Sequence, residues 1–155
     1  MRQSIVYFLF FFCSLPIVSI AQASMTTSPT DVEIEVKQVI QNMFTAMKNS
    51  DTVLLKNCFS ESVIFQTIQN KPEGVVVKTE SIKEFIQSIG KQMPNALDER
   101  IEFGAVNIEP LMATVWTPYT FYYKGQYSHK GVNSFQLVKL KEGWRIQYLI
   151  DTRYK

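Results

Sequence analysis

The last third of the chain decides the fold; it reads MATVWTPYTFYYKGQYSHKGVNSFQLVKLKEGWRIQYLIDTR from Met112 to Arg153. β-Branched and aromatic residues fill three runs, which are separated by Lys124-Gly125 and by Glu142-Gly143. Such runs with glycine-containing breaks are typical of strands joined by tight turns, so the stretch predicts a three-stranded antiparallel meander. Because this ribbon has an apolar face to bury, the helical first half of the chain is predicted to cover it.

The size and composition of the chain indicate one globular domain. A length of 155 residues gives room for a single core, and 46% hydrophobic with 19% charged residues is ordinary for a folded protein. The formal charge is +2, and it becomes about +1 if Arg2 is removed, since 16 basic residues then become 15 against 14 acidic ones. Basic and acidic residues are interspersed, so nucleic acid is not an expected partner.

The N terminus has the pattern of a secretory signal peptide. Arg2 precedes an apolar run over 5–20, and Ala21-Gln22-Ala23 follows with small residues at both positions that determine cleavage. We predict a signal peptide over 1–23, a flexible leader over 24–30 and one folded domain over 31–155. The alternative, an uncleaved membrane anchor, is less well supported because the run is near the lower limit for a span. The mature protein is expected to be exported, periplasmic or secreted, with no stable membrane span.

The region between the leader and the meander predicts three helices. Apolar residues recur every three or four positions from Val32 to Met47, which indicates a long first helix with one buried stripe. A short second helix is predicted to start at Asp51 and to extend to Phe59. A third helix is predicted from Thr79 or Glu80 to Gln92, where a Met-Pro-Asn sequence ends it.

Further strands are predicted before the meander. A strand over 62–68 and a short strand over 75–77 flank a turn that contains proline and glycine. One long strand is predicted over 99–108. Pro118, inside the first strand of the meander, predicts an edge, a bulge or a bend. Helices followed by a mostly antiparallel sheet give the α+β class.

The chain resembles the nuclear transport factor 2-like superfamily. The motifs that carry the resemblance are KNCFSESVIF at 56–65 and an ending with VNSFQLVK at 132–139, EGWRI at 142–146 and IDTR at 150–153. The longer string from Thr117 through His129 to Arg153 is similar to the bacterial branch named for lumazine binding. That branch is related to the SnoaL-like polyketide cyclases and to ketosteroid-isomerase-like proteins.

The resemblance implies a cone-shaped fold in which three N-terminal helices pack on a strongly curved, mostly antiparallel sheet. It also implies a pocket between sheet and helices and, in many members, a homodimer through the sheet. The tyrosines of the meander, with their flat faces and hydroxyls, lead us to expect a small and partly aromatic ligand in that pocket. Because the same fold carries isomerases, dehydratases, cyclases, binding proteins and adaptor modules, the function has to be argued from the site.

Strand alternation predicts which residues share a face of the meander. On the first strand, one face holds Val115, Thr117, Tyr119, Phe121 and Tyr123, and the other holds Thr114, Trp116, Thr120 and Tyr122. On the last strand, the apolar set predicted to face the helices is Trp144, Ile146, Tyr148 and Ile150. The opposite face of that strand then holds Arg145, Gln147, Leu149, Asp151 and Arg153.

His129 is the candidate acid or base, because an unperturbed imidazole has a pKa near neutrality. It is expected to approach Tyr119, Tyr123 or Asp151, which would form a proton-transfer set suited to isomerisation or dehydration. The alternatives are a surface histidine bonded to the backbone and a structural ion pair between Asp151 and Arg153. The residues predicted to bind a ligand are Trp116, Tyr119, Tyr123, His129, Asn133, Asp151 and Arg153.

Several kinds of chemistry have no support in the sequence. One histidine, and Cys58 as the one cysteine after the predicted signal peptide, do not make the usual zinc spacings, and no phosphate loop or nucleophile elbow is present. No metal and no cofactor are therefore expected. The sequence favours an exported protein that binds a small molecule in its cone. The alternatives are a cofactor-free isomerase, dehydratase or cyclase that uses His129 or Asp151, and a homodimeric interaction module with a filled cone.

Overall fold

A computed structural model describes residues 29–155, so the predicted signal peptide and most of the predicted leader lie outside the described residues. The elements, in chain order, are α1 (Pro29–Asn49), α2 (Thr52–Asn57), β1 (Phe59–Lys71), β2 (Gly74–Glu80), α3 (Ile82–Gly90), β3 (Leu97–Ile101), β4 (Val106–Ile108), β5 (Met112–Tyr123), β6 (Gln126–Leu140) and β7 (Gly143–Tyr154). In this part of the chain, no helix has the length and apolar character needed to cross a membrane.

The strands form one curved sheet with the helices packed on its inner face. The strand order is β2-β1-β7-β6-β5-β3, with β4 also paired to β5, and the sheet is not closed into a barrel. All neighbours are antiparallel except β1 and β7, which are parallel. The predicted α+β class, the mostly antiparallel sheet and the meander of β5, β6 and β7 are confirmed.

Helix α1 buries the apolar stripe that its sequence predicts. Val36 and Ile40 are fully buried, and the ring of Phe44 meets that of Phe135 edge-on with centroids 6.2 Å apart. The helix begins at Pro29, inside the predicted leader, because the fixed φ of proline suits a first helical turn.

The short helices differ from their predicted bounds at the ends. Asp51 caps α2 as expected, since its Oδ1 accepts from two backbone amides of the first turn at 3.0 and 2.9 Å. Phe59 is the first residue of β1 rather than part of the helix. Helix α3 begins at Ile82 behind the capping residue Ser81, because β2 continues as far as Glu80.

The long strand predicted over 99–108 is wrong: β3 and β4 are separated by an irregular segment. The break lies opposite Pro118 of β5. In a regular antiparallel ladder, Pro118 and Glu102 would exchange two backbone hydrogen bonds, but only the bond from Glu102 N to Pro118 O, 2.9 Å long, can form. The missing N–H of the proline removes one bond of the ladder. A one-residue bulge follows, since Gly104 N donates to Trp116 O at 2.8 Å and Trp116 N donates to Ala105 O at 3.0 Å, and β5 itself continues.

A β-bulge at Gln147 decides which residues of β7 face the helices. The pairing of β6 with β7 shifts by one residue at this point, so the side chains that follow change face. Leu149 and Asp151 therefore join Trp144 and Ile146 on the buried face, where each of the four is at most 4% exposed.

Contacts with β1 hold the bulge in place. The Nε2 atom of Gln147 donates to the Ser62 carbonyl at 3.0 Å, and its Oε1 accepts from the Ser60 hydroxyl at 2.8 Å. The single alternation predicted for this strand is correct as far as Ile146 and wrong after the bulge, since Tyr148 and Ile150 lie on the outer face.

Gly131 in β6 allows Tyr119 to lie close to β7, and Gly131→Ala is expected to destabilise the fold by about 2 to 3 kcal/mol. A Cβ at this position would lie 1.9 Å from the Thr152 carbonyl oxygen and 2.8 Å from the Tyr119 ring. Urea unfolding followed by tryptophan fluorescence measures the loss. The control is Lys130→Ala, an exposed neighbour that is expected to change stability by about 0.5 kcal/mol or less. Equal losses in both variants would contradict the steric argument.

Candidate functional site

Inward-facing side chains form transverse rows across the sheet, and the candidate site lies where these rows change from apolar to polar. The apolar row, paired across four strands, consists of Val115, Phe135, Leu149 and Phe65. The next row, called here the polar row, consists of Thr117, Asn133, Asp151 and Thr67. No member of the polar row is more than 4% exposed. Buried polar groups need hydrogen-bond partners, so this row marks a place with a specific role.

Asp151 is the central residue of the polar row. Its Oδ2 accepts from Arg153 Nε at 2.8 Å, and the Tyr119 hydroxyl lies 3.5 Å from the same oxygen. Its Oδ1 is buried and has no hydrogen-bond partner, and the same is true of the Thr117 hydroxyl in the same row. An unpaired buried acceptor costs about 1 to 3 kcal/mol, which a donor from a ligand or a water would offset.

Arg153 spans the distance between Asp151 and β1. Its Nη2 donates to Thr67 Oγ1 at 3.2 Å, and its side chain is 46% exposed. Burial acts to lower the pKa of Arg153, but the hydrogen bond and charge of Asp151 prevail and hold that pKa above its usual value. The guanidinium therefore stays positively charged beside the buried carboxylate.

Tyr119 projects from β5 towards the same cluster. Its hydroxyl donates to the Thr152 carbonyl at 2.9 Å, across the space that Gly131 leaves open. Burial, and then the negative charges of Glu99 and Asp151, hold the pKa of Tyr119 well above its usual value. The phenol thus remains a hydrogen-bond donor throughout the physiological range.

Glu99 of β3 belongs to the site but received no role from the sequence. Burial raises the pKa of this carboxyl to about 7; the Asn133 amide, which donates to Oε1 at 2.9 Å, acts to lower it, and the charge of Asp151 raises it. Strand alternation is the sequence signal that could have identified Glu99, because it places Glu99 on the same inward face of β3 as Ile101. A glutamate on an apolar face is unusual and marks a candidate site.

His129 lies just after a second bulge, at Ser128 in β6. Its ring centroid is 5.7 Å from that of Tyr119 and 5.0 Å from that of Phe121. Its Nδ1 lies 3.0 Å from the Ser128 hydroxyl. Burial lowers the pKa of His129 and the positive charge of Arg153 lowers it further, against the effect of Asp151, so the imidazole is neutral at pH 7.

These side chains enclose a cavity of about 160 Å³. Its apolar walls consist of Met47, Phe85, Ile89, Leu97 and Phe121, and its polar walls of Glu99, Tyr119, His129, Asp151 and Arg153. His129 and Arg153 also border a surface depression of about 580 Å³ that includes Lys155. His129 and Arg153 therefore border both the cavity and this depression.

The structure brings most of the sequence-predicted site residues together. The cavity is lined by Tyr119, His129, Asp151 and Arg153, and Asn133 reaches it through Glu99. Trp116 is not brought to the cavity, because it lies on the outer face of the sheet with 49% of its surface exposed. Tyr123, at the end of β5, is 41% exposed and contacts Gln92 instead. Within residues 29–155, no group of three metal-ligating side chains is found.

No protein-family model and no curated protein matches the sequence, whereas solved structures match its fold. A nuclear transport factor 2-like protein of unknown function from Shewanella baltica has 12% identity and a TM-score of 0.66 over 83% of this chain and 98% of that chain. A domain of unknown function with a cystatin-like fold from Nostoc punctiforme has 21% identity and a TM-score of 0.65 over 83% and 80%. A candidate dehydratase of the nuclear transport factor 2-like family from Streptomyces avermitilis has 15% identity and a TM-score of 0.60 over 83% and 99%. The chain therefore has the nuclear transport factor 2-like fold.

The raised pKa of Glu99 makes the fold less stable at high pH, and Glu99→Gln is expected to remove this effect. The folded-state pKa is raised from 4.5 to about 7, so the stabilisation by the protonated carboxyl is complete below pH 4.5 and is lost as the pH rises through about 7. In urea unfolding, the free energy of unfolding of the variant relative to that of the wild type should be about 3 kcal/mol higher at pH 8 than at pH 4.

The matched control for this measurement is Glu102→Gln, which alters an exposed glutamate three residues away in the chain. We expect its stability to follow that of the wild type at both pH values. If the pH dependence of stability in Glu99→Gln also matches that of the wild type, the pKa of Glu99 is not raised in the folded protein. The effect of burial assigned to this carboxyl would then be wrong.

Proposed function

We propose that this is an exported protein that binds a small, partly aromatic molecule inside its cone. The observation that carries the proposal is the cavity of about 160 Å³ bordered by Asp151, whose buried Oδ1 has no partner. Ligand sites usually combine apolar walls with a few convergent polar groups, and this cavity has that composition. Such a cavity also favours ligand binding over the interaction module with a filled cone.

The volume of the cavity supports a ligand of about one ring. A cavity of about 150 Å³ in another protein accommodates benzene, so about 160 Å³ accommodates one six-membered ring with a small substituent. A two-ring molecule such as lumazine would place one ring inside and extend past His129 into the outer depression. The rings of Phe121 and His129 would contact it, and the resemblance to the lumazine-binding branch supports this ligand class.

An enzymatic function has one observation in its favour. The pKa of Glu99 is raised to about 7, which suits a group that gains and loses a proton at neutral pH. Asp151 is instead held in an ion pair with Arg153, and burial together with the charge of Arg153 lowers the pKa of His129. If the protein is a cofactor-free isomerase, dehydratase or cyclase, Glu99 is therefore a better candidate for proton transfer than Asp151 or His129.

Export is proposed from the N-terminal sequence. Arg2, the apolar run over 5–20 and the Ala21-Gln22-Ala23 sequence together support cleavage after Ala23. The mature chain would begin at Ser24 and act in the periplasm or outside the cell.

A homodimer through the outer face of the sheet is also proposed. This face carries exposed apolar side chains from β1, β2 and β5, which are Ile64 (48% exposed), Val75 (70%), Val77 (51%) and Trp116 (49%). Exposed apolar side chains on one face of a sheet are typical of interaction surfaces. A twofold axis would place the same face of two copies in contact and leave the mouth beside His129 accessible.

Ring-sized compounds, tested as lumazine and as single-ring analogues, are expected to bind the full chain in isothermal titration calorimetry. Phe121→Leu keeps a similar volume but removes an aromatic wall, so we expect affinity to fall about fivefold. Trp116→Leu, which removes an aromatic ring from the outer face, is the control and should leave affinity within about twofold. Failure of every ring compound to bind, or equal losses in the two variants, would argue against a ligand site in the cone.

The dimer is expected to dissociate when a charge is placed on the outer face. Trp116→Glu should convert the dimer to a monomer in analytical ultracentrifugation, because a carboxylate buried in the interface loses its hydration. Met93→Glu, at a 76% exposed position outside the strands, should leave the dimer intact. A wild-type chain that sediments as a monomer would refute the proposed assembly without affecting the ligand site.

A further inference from the structure

We propose that the ligand carries a protonated amine, which the carboxylates of Glu99 and Asp151 hold at the polar side of the cone, so that the site selects small ring-bearing cations. This inference rests on the proposed binding function and specifies the class of ligand. It is carried by the placement of charged groups around the cavity, by one unpaired buried oxygen and by the aromatic walls.

The cavity has more negative than positive groups on its polar side. Among the residues that line the cavity, Arg153 is the one that stays positively charged at every relevant pH. The Nε atom of Arg153 already donates to Asp151 Oδ2 at 2.8 Å. Glu99 receives a hydrogen bond from the neutral amide of Asn133 at 2.9 Å but has no ion-pair partner among the described residues. With His129 neutral, ionisation of Glu99 leaves the cavity with a net charge of −1, which a cationic ligand would neutralise.

Among the groups that face Glu99 from the other elements, Arg153 is the one permanent cation; it acts on Glu99 through its charge but forms its ion pair with Asp151. Titratable neighbours come from three strands, namely Tyr119 of β5, His129 of β6, and Asp151 and Arg153 of β7. The helices contribute apolar walls from α1 and α3, namely Met47, Phe85 and Ile89. A charged nitrogen that pairs directly with Glu99 would therefore come from the ligand.

Asp151 provides the second acceptor for that nitrogen. Its residue is 4% exposed, it lines the cavity, and its Oδ1 has no partner while Oδ2 is occupied. An ammonium group has three N–H donors and can serve both carboxylates at once. Hydrogen bonds between charged groups are about twice as strong as neutral ones, so this arrangement favours an ammonium over a neutral hydroxyl.

The aromatic walls favour the same ligand class. Phe85, Tyr119 and Phe121 line the cavity, and the faces of such rings attract cations. An anionic ligand would instead meet the charge of Asp151, and the charge of Glu99 when it is ionised. The cavity should therefore discriminate among ligands of equal size according to their charge.

Binding of an amine should also depend on pH in a defined direction. A bound ammonium favours the ionised form of Glu99, whose pKa in the empty site is raised to about 7. Binding then releases a proton from Glu99, so affinity rises as the pH increases from 6 to 8. A ligand that accepts a hydrogen bond from protonated Glu99 would show the opposite dependence.

The test uses three compounds of one size, benzylamine, benzyl alcohol and benzoate, in calorimetric titrations of the full chain at pH 6 and pH 8. We expect benzylamine, which is an ammonium ion at both pH values, to bind at least tenfold more tightly than benzyl alcohol and to gain severalfold in affinity at pH 8. Benzoate should bind most weakly. Titration in buffers of different ionisation enthalpy should show proton release on binding of benzylamine near pH 7.

Two variants connect the result to the proposed residues. Glu99→Gln should weaken benzylamine at least tenfold and remove its pH dependence, while benzyl alcohol changes little. Glu102→Gln, the exposed matched control, should behave as the wild type. If Glu99→Gln does not fold, Glu99→Asp, which keeps the charge but shortens the side chain, should weaken the amine selectively.

Three outcomes of these titrations would contradict the proposal that the ligand is an amine. If benzyl alcohol or benzoate binds as tightly as benzylamine, the cone binds rings without selecting a cation, and the proposed binding function stands alone. If none of the three binds but lumazine does, the ligand class is wrong and the binding function again stands. If neither these compounds nor lumazine and its analogues bind, both proposals fail.

Discussion

The structure depends on one constraint, the bulge at Gln147 in the last strand. Without the extra residue, the side chain of Leu149 would point away from the helices and Tyr148 would replace it. The bulge instead continues the buried face from Ile146 to Leu149 and then to Asp151, which closes the apolar core and begins the polar row. The bulge is therefore responsible both for the packing of the core and for the position of the polar row. Hydrogen bonds from the Gln147 side chain to β1 hold the bulge in place.

Burying charged groups costs free energy because they lose their hydration, and hydrogen bonds within the fold offset only part of this cost. Arg153 compensates one oxygen of Asp151, and Asn133 compensates one oxygen of Glu99. The other oxygen of Asp151 has no partner, and the pKa of Glu99 is raised to about 7 by burial. A core selected only for stability would fill these positions with apolar side chains, since buried ion pairs contribute little net stability. The incomplete compensation supports the ligand site proposed above.

The fold alone does not decide between binding and catalysis, because nuclear transport factor 2-like structures serve both. The distribution of groups in this cone is more informative. Apolar side chains from two helices and from β3 and β5 line the cavity together with polar side chains from four strands, and His129 and Arg153 also border an outer depression. This polarity suits a molecule with an apolar ring and one polar end. A proton-transfer role for Glu99 would use the same geometry, with the ligand held in the same orientation.

The sequence by itself determined the helices, the meander and the α+β class, because apolar periodicity and turn residues are local signals that tertiary contacts here reinforce. It also indicated His129, Asp151 and Arg153 as candidates from their residue types. Only the tertiary structure decided that Glu99 joins them and that Trp116 does not. It also decided that Asp151 points inward, since a bulge inverts the alternation of a strand without leaving a clear mark in the sequence. The division has a physical reason: periodicity reports which residues share a face within one element, whereas a site is formed between elements, by register and by the burial of charge.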